Sequence, residues 1–274
     1  MVSMADKTKL PLLVRWRTWI QTAFLLVWLD PLMLRLHSVC GPVFHCYSCP
    51  LATFACPIGV MANFSALHVV PFLAIGTLAL VGALVGSMVC GWVCPFGLLQ
   101  DALGKIPTPK MKLPSWAGYG RYVVLGIFVL AIPFLFGENH PLHICRICPA
   151  GALEGAAPFM AGQALSGGHV VWPSLLKIAI TGLIVIAMFF SVRPWCRLFC
   201  PLGAIYGLFN RASVAAMQFH PERCSGCGRC DTPCRYGVLP SRVGKDTACI
   251  RCLECTACGA LKLGSALAPE RTEK

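Results

Sequence analysis

Eight cysteines near the C-terminus fall into two runs, Cys224, Cys227, Cys230, Cys234 and Cys249, Cys252, Cys255, Cys258. Thiolates at this spacing suit iron–sulfur clusters. In the two-cluster pattern, each run gives three ligands to one cluster and its last cysteine to the other. The expected sets are therefore Cys224, Cys227 and Cys230 with Cys258, and Cys249, Cys252 and Cys255 with Cys234. Two features depart from the usual run: Pro233 precedes Cys234 instead of following it, and the second run closes one residue early at Cys258-Gly259. Zinc ribbons also use repeated C-x2-C pairs, so zinc is the competing reading. Gly226, Gly228 and Gly259 would let the backbone close on sulfur with its N–H groups facing the negative charge.

Eight of the other ten of the 18 cysteines mark an internal repeat. Cys46-Tyr47-Ser48-Cys49-Pro50 corresponds to Cys145-Arg146-Ile147-Cys148-Pro149, and Cys90-Gly91-Trp92-Val93-Cys94-Pro95-Phe96-Gly97 to Cys196-Arg197-Leu198-Phe199-Cys200-Pro201-Leu202-Gly203. The pairs Cys90/Cys94 and Cys196/Cys200 make four soft ligands, enough for one shared cluster or one zinc ion. The plainer alternative is reduced cysteines at helix-end turns bent by proline and glycine. Cys46, Cys49, Cys145 and Cys148 form a second candidate set, for which disulfides and thiol exchange compete with metal. Cys40 and Cys56 lie beside that set without a definite role, although Cys56-Pro57-Ile58-Gly59 resembles the Cys-Pro-x-Gly turns of the first set.

The elements that must position these residues are apolar helices. The 274-residue chain is 57% hydrophobic, with a mean hydropathy of +0.69. Its 12% of charged residues is half the roughly 25% of a soluble domain. Trp19 to Leu36, Val69 to Val89, Tyr122 to Phe136 and Val171 to Val192 read as spans. Asp30-Pro31 and Pro133 bend or shorten two of them, and Gly137 marks the end of the third. The expected fold is a polytopic α-helical membrane protein of about four transmembrane helices in two parallel repeats, followed by a small two-cluster α+β domain. Its boundaries are 1–213 for the membrane domain (halves about 1–112 and 113–213), 214–264 for the cluster domain and 265–274 for a tail.

Charge placement sets the orientation. Lys7, Lys9, Arg15 and Arg17 precede the first span; Lys105, Lys110, Lys112 and Arg121 separate the second and third; Arg193, Arg197 and Arg211 follow the fourth. The opposite connections carry chiefly Arg35 and Arg146. The positive-inside rule then puts both termini and the cluster domain in the cytoplasm. Met1 to Val14 lacks the core and cleavage site of a signal peptide and is read as retained. The formal charge of +12 is explained by this placement, so nucleic-acid binding is excluded. Arg223, Arg229, Arg235, Arg242, Lys245 and Arg251 give the C-terminal domain a basic face suited to an acidic redox partner or lipid headgroups. His37, His45, His68, His140, His143 and His169 gather near the outer side, but no CxxCH motif attaches haem. Asp30 and Lys177 are charges within spans, where a proton or quinone site is the functional reading and snorkelling the plain one.

The twin CxxxCP motifs, four spans and C-terminal cysteine runs resemble the membrane polyferredoxins related to the membrane ferredoxin subunit of periplasmic nitrate reductase. The membrane halves of the nitrous-oxide-respiration regulator and of methylamine-utilisation proteins are similar. The resemblance covers nearly the whole chain. It implies two cytoplasmic [4Fe-4S] clusters, with one or two further clusters at the membrane domain. It further implies an electron-transfer subunit in the bacterial inner membrane rather than a self-contained enzyme. Electrons would pass between the quinone pool or a membrane or outer-side partner and a cytoplasmic oxidoreductase, in either direction. Centres at opposite edges of a core about 30 Å thick would need deeper placement or another cofactor to exchange electrons. Competing readings are a redox- or metal-sensing assembly factor and an outer-face thiol–disulfide exchange protein.

Overall fold

A computed structural model describes residues 12–29, 56–111, 113–167, 169–224, 234, 238 and 246–266. The two sequence halves fold as matching series of helices. In the first, α1 (Leu12–Leu29) is followed by α2 (Pro57–Ala66), α3 (Phe72–Val85), α4 (Met88–Trp92) and α5 (Pro95–Leu103). In the second, α6 (Trp116–Phe136) leads through α7 (Ile144–Ile147) and α8 (Ala157–Leu165) to α9 (Leu175–Phe190), α10 (Pro194–Leu198) and α11 (Pro201–Phe209). Each half thus runs from a long apolar helix into a five-residue helix, a cysteine turn and a nine-residue helix.

The four spans expected from hydropathy take a different form. Among the described residues, only α6 is both long and apolar enough to cross a membrane. The second expected span is cut to the 14 residues of α3, about 21 Å at 1.5 Å per residue. Gly86 ends it at φ +55°, where a Cβ would stand 2.8 Å from the Arg251 guanidinium and 2.9 Å from the Asn210 amide oxygen. The fourth is cut to the 16 residues of α9. The chain turns there through Arg193, which is itself left-handed at φ +47°. The first expected span begins earlier than hydropathy suggested, at Leu12, and its part beyond Leu29 lies outside the described residues.

Helix α6 runs through Pro133 without breaking and ends at Gly137, as its sequence suggested. Proline lacks an N–H and its ring crowds the carbonyl four residues back. The helix widens to π geometry over Leu125–Ala131, which accommodates both effects. Large apolar side chains point outward from these helices, Phe72 at 80% and Leu175 at 82% exposure among them. Inside, one continuous core includes Cys56, Cys94, Cys148 and Cys200 together with Phe96, Met188 and Tyr206. After α11, β1 (Ala215–Phe219) pairs antiparallel with β2 (Leu261–Ser265), with Ala215 opposite Ser265 and Phe219 opposite Leu261. The hairpin-like pair brackets the C-terminal cysteine segment and buries Met217 and Leu261.

Candidate metal centres

Three Cys-Pro-x-Gly sequences build the same turn. Cys56, Cys94 and Cys200 each cap the helix that follows, with the sulfur accepting the N–H of Gly59, Gly97 and Gly203 at 3.3, 3.4 and 3.4 Å. Proline fits the first helical position because its missing N–H has no intrahelical partner there. Space favours glycine at two of the turns. A Cβ on Gly97 would lie 3.2 Å from the Cys90 carbonyl oxygen, and one on Gly203 would lie 3.2 Å from that of Cys196. Each of these turns therefore folds back onto the first cysteine of its own pair.

Cys90, Cys94, Cys196 and Cys200 line one cavity of about 880 Å³, shared with Cys249. Burial pushes the Cys90 thiol up to about 12, with Cys196 adding to the shift while Arg193 and Arg121 oppose it. Cys94 and Cys200 are held well above the ordinary 9.0 by the same burial and by the neighbouring thiols. Gln100 Nε2 donates to Cys196 Sγ at 3.0 Å. The donor set is four soft sulfurs with buried guanidinium groups nearby, which fits a negatively charged thiolate cluster. No three described His, Cys, Asp or Glu side chains stand close enough together to share one metal ion.

An ion-pair network fixes this cavity. Arg193, fully buried, holds Asp101 through Nε at 2.7 Å and Nη2 at 2.5 Å, and donates Nη1 to the Cys90 carbonyl at 2.9 Å. Arg17 reaches the same carboxylate at 2.7 Å, Glu254 at 2.9 Å and the Gly91 carbonyl at 3.0 Å. Three of the charges read as orientation signals, Arg17, Arg121 and Arg193, are thus structural parts of the site.

Residues 246–254 dock against the cysteine turns. Arg251 is 1% exposed and donates to the carbonyls of Val85 at 3.1 Å and Asn210 at 3.0 Å, and also to that of Ala215. Its expected place on an exposed basic face is corrected: the guanidinium plugs the junction, where three carbonyls replace its water. Trp92 Nε1 donates to the Arg251 carbonyl at 3.0 Å, while Ser87 Oγ and Asn210 Nδ2 donate to that of Cys249 at 2.5 and 2.7 Å. Gly91 and Gly207 are flush against this segment, since their Cβ atoms would lie 2.5 Å from Ile250 O and 2.6 Å from Thr247 O.

Within the segment, Cys249, Cys252 and Cys255 surround Cys234 closely enough for that thiol to raise all three. Burial is the larger cause and pushes Cys249 to about 12 and Cys252 to about 11. Cys224 is exposed at the end of a short turn. Cys227 and Cys230 lie outside the described residues, as does the side chain of Cys258.

A second thiol group stands apart from the first. A Cβ on Gly59 would be 3.4 Å from Cys145 Sγ and 3.5 Å from Cys56 Sγ, so these two sulfurs flank one point. Cys148 is buried in the same core. Lys177, buried on α9, donates Nζ to the Cys145 carbonyl at 3.3 Å and does not snorkel. His143 Nδ1 accepts the Cys145 N–H at 3.3 Å. Cys40, Cys46, Cys49 and Asp30 lie outside the described residues. Of the histidines, the His68 ring lies tilted against Phe134 and the His140 ring against Phe136. Sequence reasoning left Cys56 without a role, although its Cys-Pro-x-Gly turn was the signal. The Arg251 plug and the Asp101 network had no local signature.

Comparison with known proteins agrees with the repeat. Residues 67–114 and 172–219 each match the 4Fe-4S binding domain family, so one family covers Cys90/Cys94 and Cys196/Cys200 in turn. The chain is 29% identical over 185 residues to the ferredoxin-type protein NapH of Haemophilus influenzae, covering 65% of this chain and 59% of that one. It is 26% identical over 205 residues to the methylamine utilization ferredoxin-type protein MauN of Methylorubrum extorquens, covering 73% and 63%. It is 24% identical over 208 residues to YccM of Escherichia coli, a candidate electron transport protein, covering 73% and 54%. The matches thus span less than two thirds of each relative. No solved structure matches the chain.

Proposed function

We propose that this homologue of the ferredoxin-type electron transport proteins is the membrane-bound electron-transfer subunit of a larger oxidoreductase. The observation that carries the reading is the shared cavity: Cys249 of the C-terminal segment lines it together with Cys90, Cys94, Cys196 and Cys200. Iron–sulfur clusters, when bound, supply one-electron carriers whose potentials depend on ligation, burial and hydrogen bonds to sulfur. Cys90, Cys94, Cys196 and Cys200 would hold one such centre. Cys249, Cys252, Cys255 and Cys234 would hold a second, and Cys224, Cys227, Cys230 and Cys258 a third.

The chain's own residues serve this role by fixing distance and charge. Arg251, Trp92, Ser87 and Asn210 lock the C-terminal segment against the paired turns. Buried Arg193 and Arg121 favour the thiolate form of Cys90 and limit the cost of added negative charge. The outward apolar faces of α3, α6 and α9 support placement in a bilayer, with the docked segment on the cytoplasmic side. A quinone or a membrane partner would exchange electrons at the other end, and an acidic redox protein at the C-terminal domain.

The test is an anaerobic EPR redox titration of the full-length protein with iron, sulfide and zinc quantitation. The expected result is spin–spin broadening between the centre held by Cys249 and the one held by Cys90, which Cys94→Ser abolishes while C-terminal signals persist. Zinc without acid-labile sulfide would overturn the proposal, and so would fully reduced C-terminal centres with no magnetic neighbour.

A further inference from the structure

The geometry points to an additional iron–sulfur site built on Cys56, Cys145 and Cys148, with Cys56 as an essential ligand. The inference rests on reading the chain as an iron–sulfur protein and adds a centre outside the two matched domains, residues 67–114 and 172–219. Its first support is the turn. Cys56 Sγ accepts the Gly59 N–H at 3.3 Å, the arrangement that Cys94 and Cys200 adopt at 3.4 Å each. Cys148-Pro149-Ala150-Gly151 carries the same Cys-Pro-x-Gly sequence as Cys56-Pro57-Ile58-Gly59, as do Cys94 to Gly97 and Cys200 to Gly203. Cys148 has backbone angles of −70° and 118°, close to the −67° and 116° of Cys94.

The second support is convergence. Cys145 and Cys56 come from different halves of the chain, yet their sulfurs flank the same point beside Gly59. A third, independent observation is His143, which is 3% exposed. Its Nδ1 accepts the Cys145 N–H, so the neutral ring carries its proton on Nε2. Nε2 is buried and has no hydrogen-bond partner among the described residues. Leaving a buried donor unmade is costly, and a cluster sulfur is an acceptor that would satisfy it. Lys177, which donates to the Cys145 carbonyl, brings an amine beside the group. Soft thiolate ligands suit an iron–sulfur cluster.

The site also bears on transfer across the protein. Cys56 and Cys148 belong to the same continuous core as Cys94 and Cys200, so the two thiol groups are joined by packed protein.

The test uses full-length protein prepared anaerobically, as wild type, Cys56→Ser and Cys94→Ser, with iron, sulfide and zinc contents and Mössbauer spectra. Cys56→Ser is expected to lose about four irons and about four sulfides while keeping the C-terminal EPR signals, which report folding. Cys94→Ser should lose a different spectral component. If Cys56→Ser does not accumulate, the Cys145→Ser/Cys148→Ser double variant is read in the same way. Unchanged iron and sulfide in a folded variant overturns the site, as does loss of one zinc instead of iron. Wild type with all its iron accounted for by the C-terminal and Cys90-side centres overturns this site alone. Wild type lacking sulfide altogether overturns the proposed function with it.

Discussion

Replacing Gly91 by alanine should loosen the C-terminal segment from the paired cysteine turns without touching any thiol. The added Cβ would sit 2.5 Å from the Ile250 carbonyl oxygen. An ordinary carbon–oxygen contact is about 3.3 Å, so something must move by about 0.8 Å. Ile250 cannot swing away alone. The next residue, Arg251, is tied to Val85, Asn210 and Trp92, and the preceding Cys249 carbonyl is held by Ser87 and Asn210. On the other side, the Gly91 carbonyl accepts from both Arg17 and Gln21 at 3.0 and 2.8 Å. Overpacking a site held from both sides costs about 1–3 kcal/mol, or about 5- to 150-fold in the docking equilibrium. Hydrogen exchange of residues 246–254 should accelerate within that range, and magnetic interaction between the centres on either side should weaken. Gly76→Ala is the control, because nothing lies within 4 Å of its added carbon. Wild-type protection and wild-type spectral interaction in Gly91→Ala would refute the docking argument.

Asp101→Asn removes the carboxylate shared by Arg17 and fully buried Arg193. The expected loss is about 3 kcal/mol of stability, at the low end for a buried pair because Asp101 is 19% exposed, read by chemical denaturation. The metal-free protein should also weaken in alkali. Unfolded cysteine ionises near 9.0, whereas folded Cys90 and Cys249 ionise near 12. The folded chain therefore keeps these protons longer, and their contribution is full below pH 9.0 and lost as pH rises toward 12. Metal-loaded protein, with its ligands already deprotonated, should lack this dependence in a pH-resolved melting series. Cys234→Ser and Cys252→Ser should remove the same EPR signal and Cys224→Ser a different one; loss of one common signal from all three would refute crossed ligation.

The paired cysteine turns were legible because cysteine spacing is local. Four-residue separations in Cys90/Cys94 and Cys196/Cys200 mark a turn with two sulfurs on it, and their repetition marks a shared site. What was not legible depends on contacts between distant residues. Hydropathy extended the second span to Val89, since nothing in the local apolar pattern shows that Gly86 must turn to admit Arg251, 165 residues later. Net charge made Arg193 and Arg251 look like surface signals, although each is buried because carbonyls and a carboxylate have replaced its water. Cys56 illustrates the boundary between the two kinds of information. Its turn was visible in Cys56-Pro57-Ile58-Gly59, but its partner was not, because Cys145 reaches it across the two halves of the chain. A repeat pattern assigns equivalent positions within each half; only folding decides which equivalents meet. In this chain, Cys56 and Cys145 meet beside Gly59, and Gly91 and Gly207 let the C-terminal segment press onto the turns that hold the other cysteines.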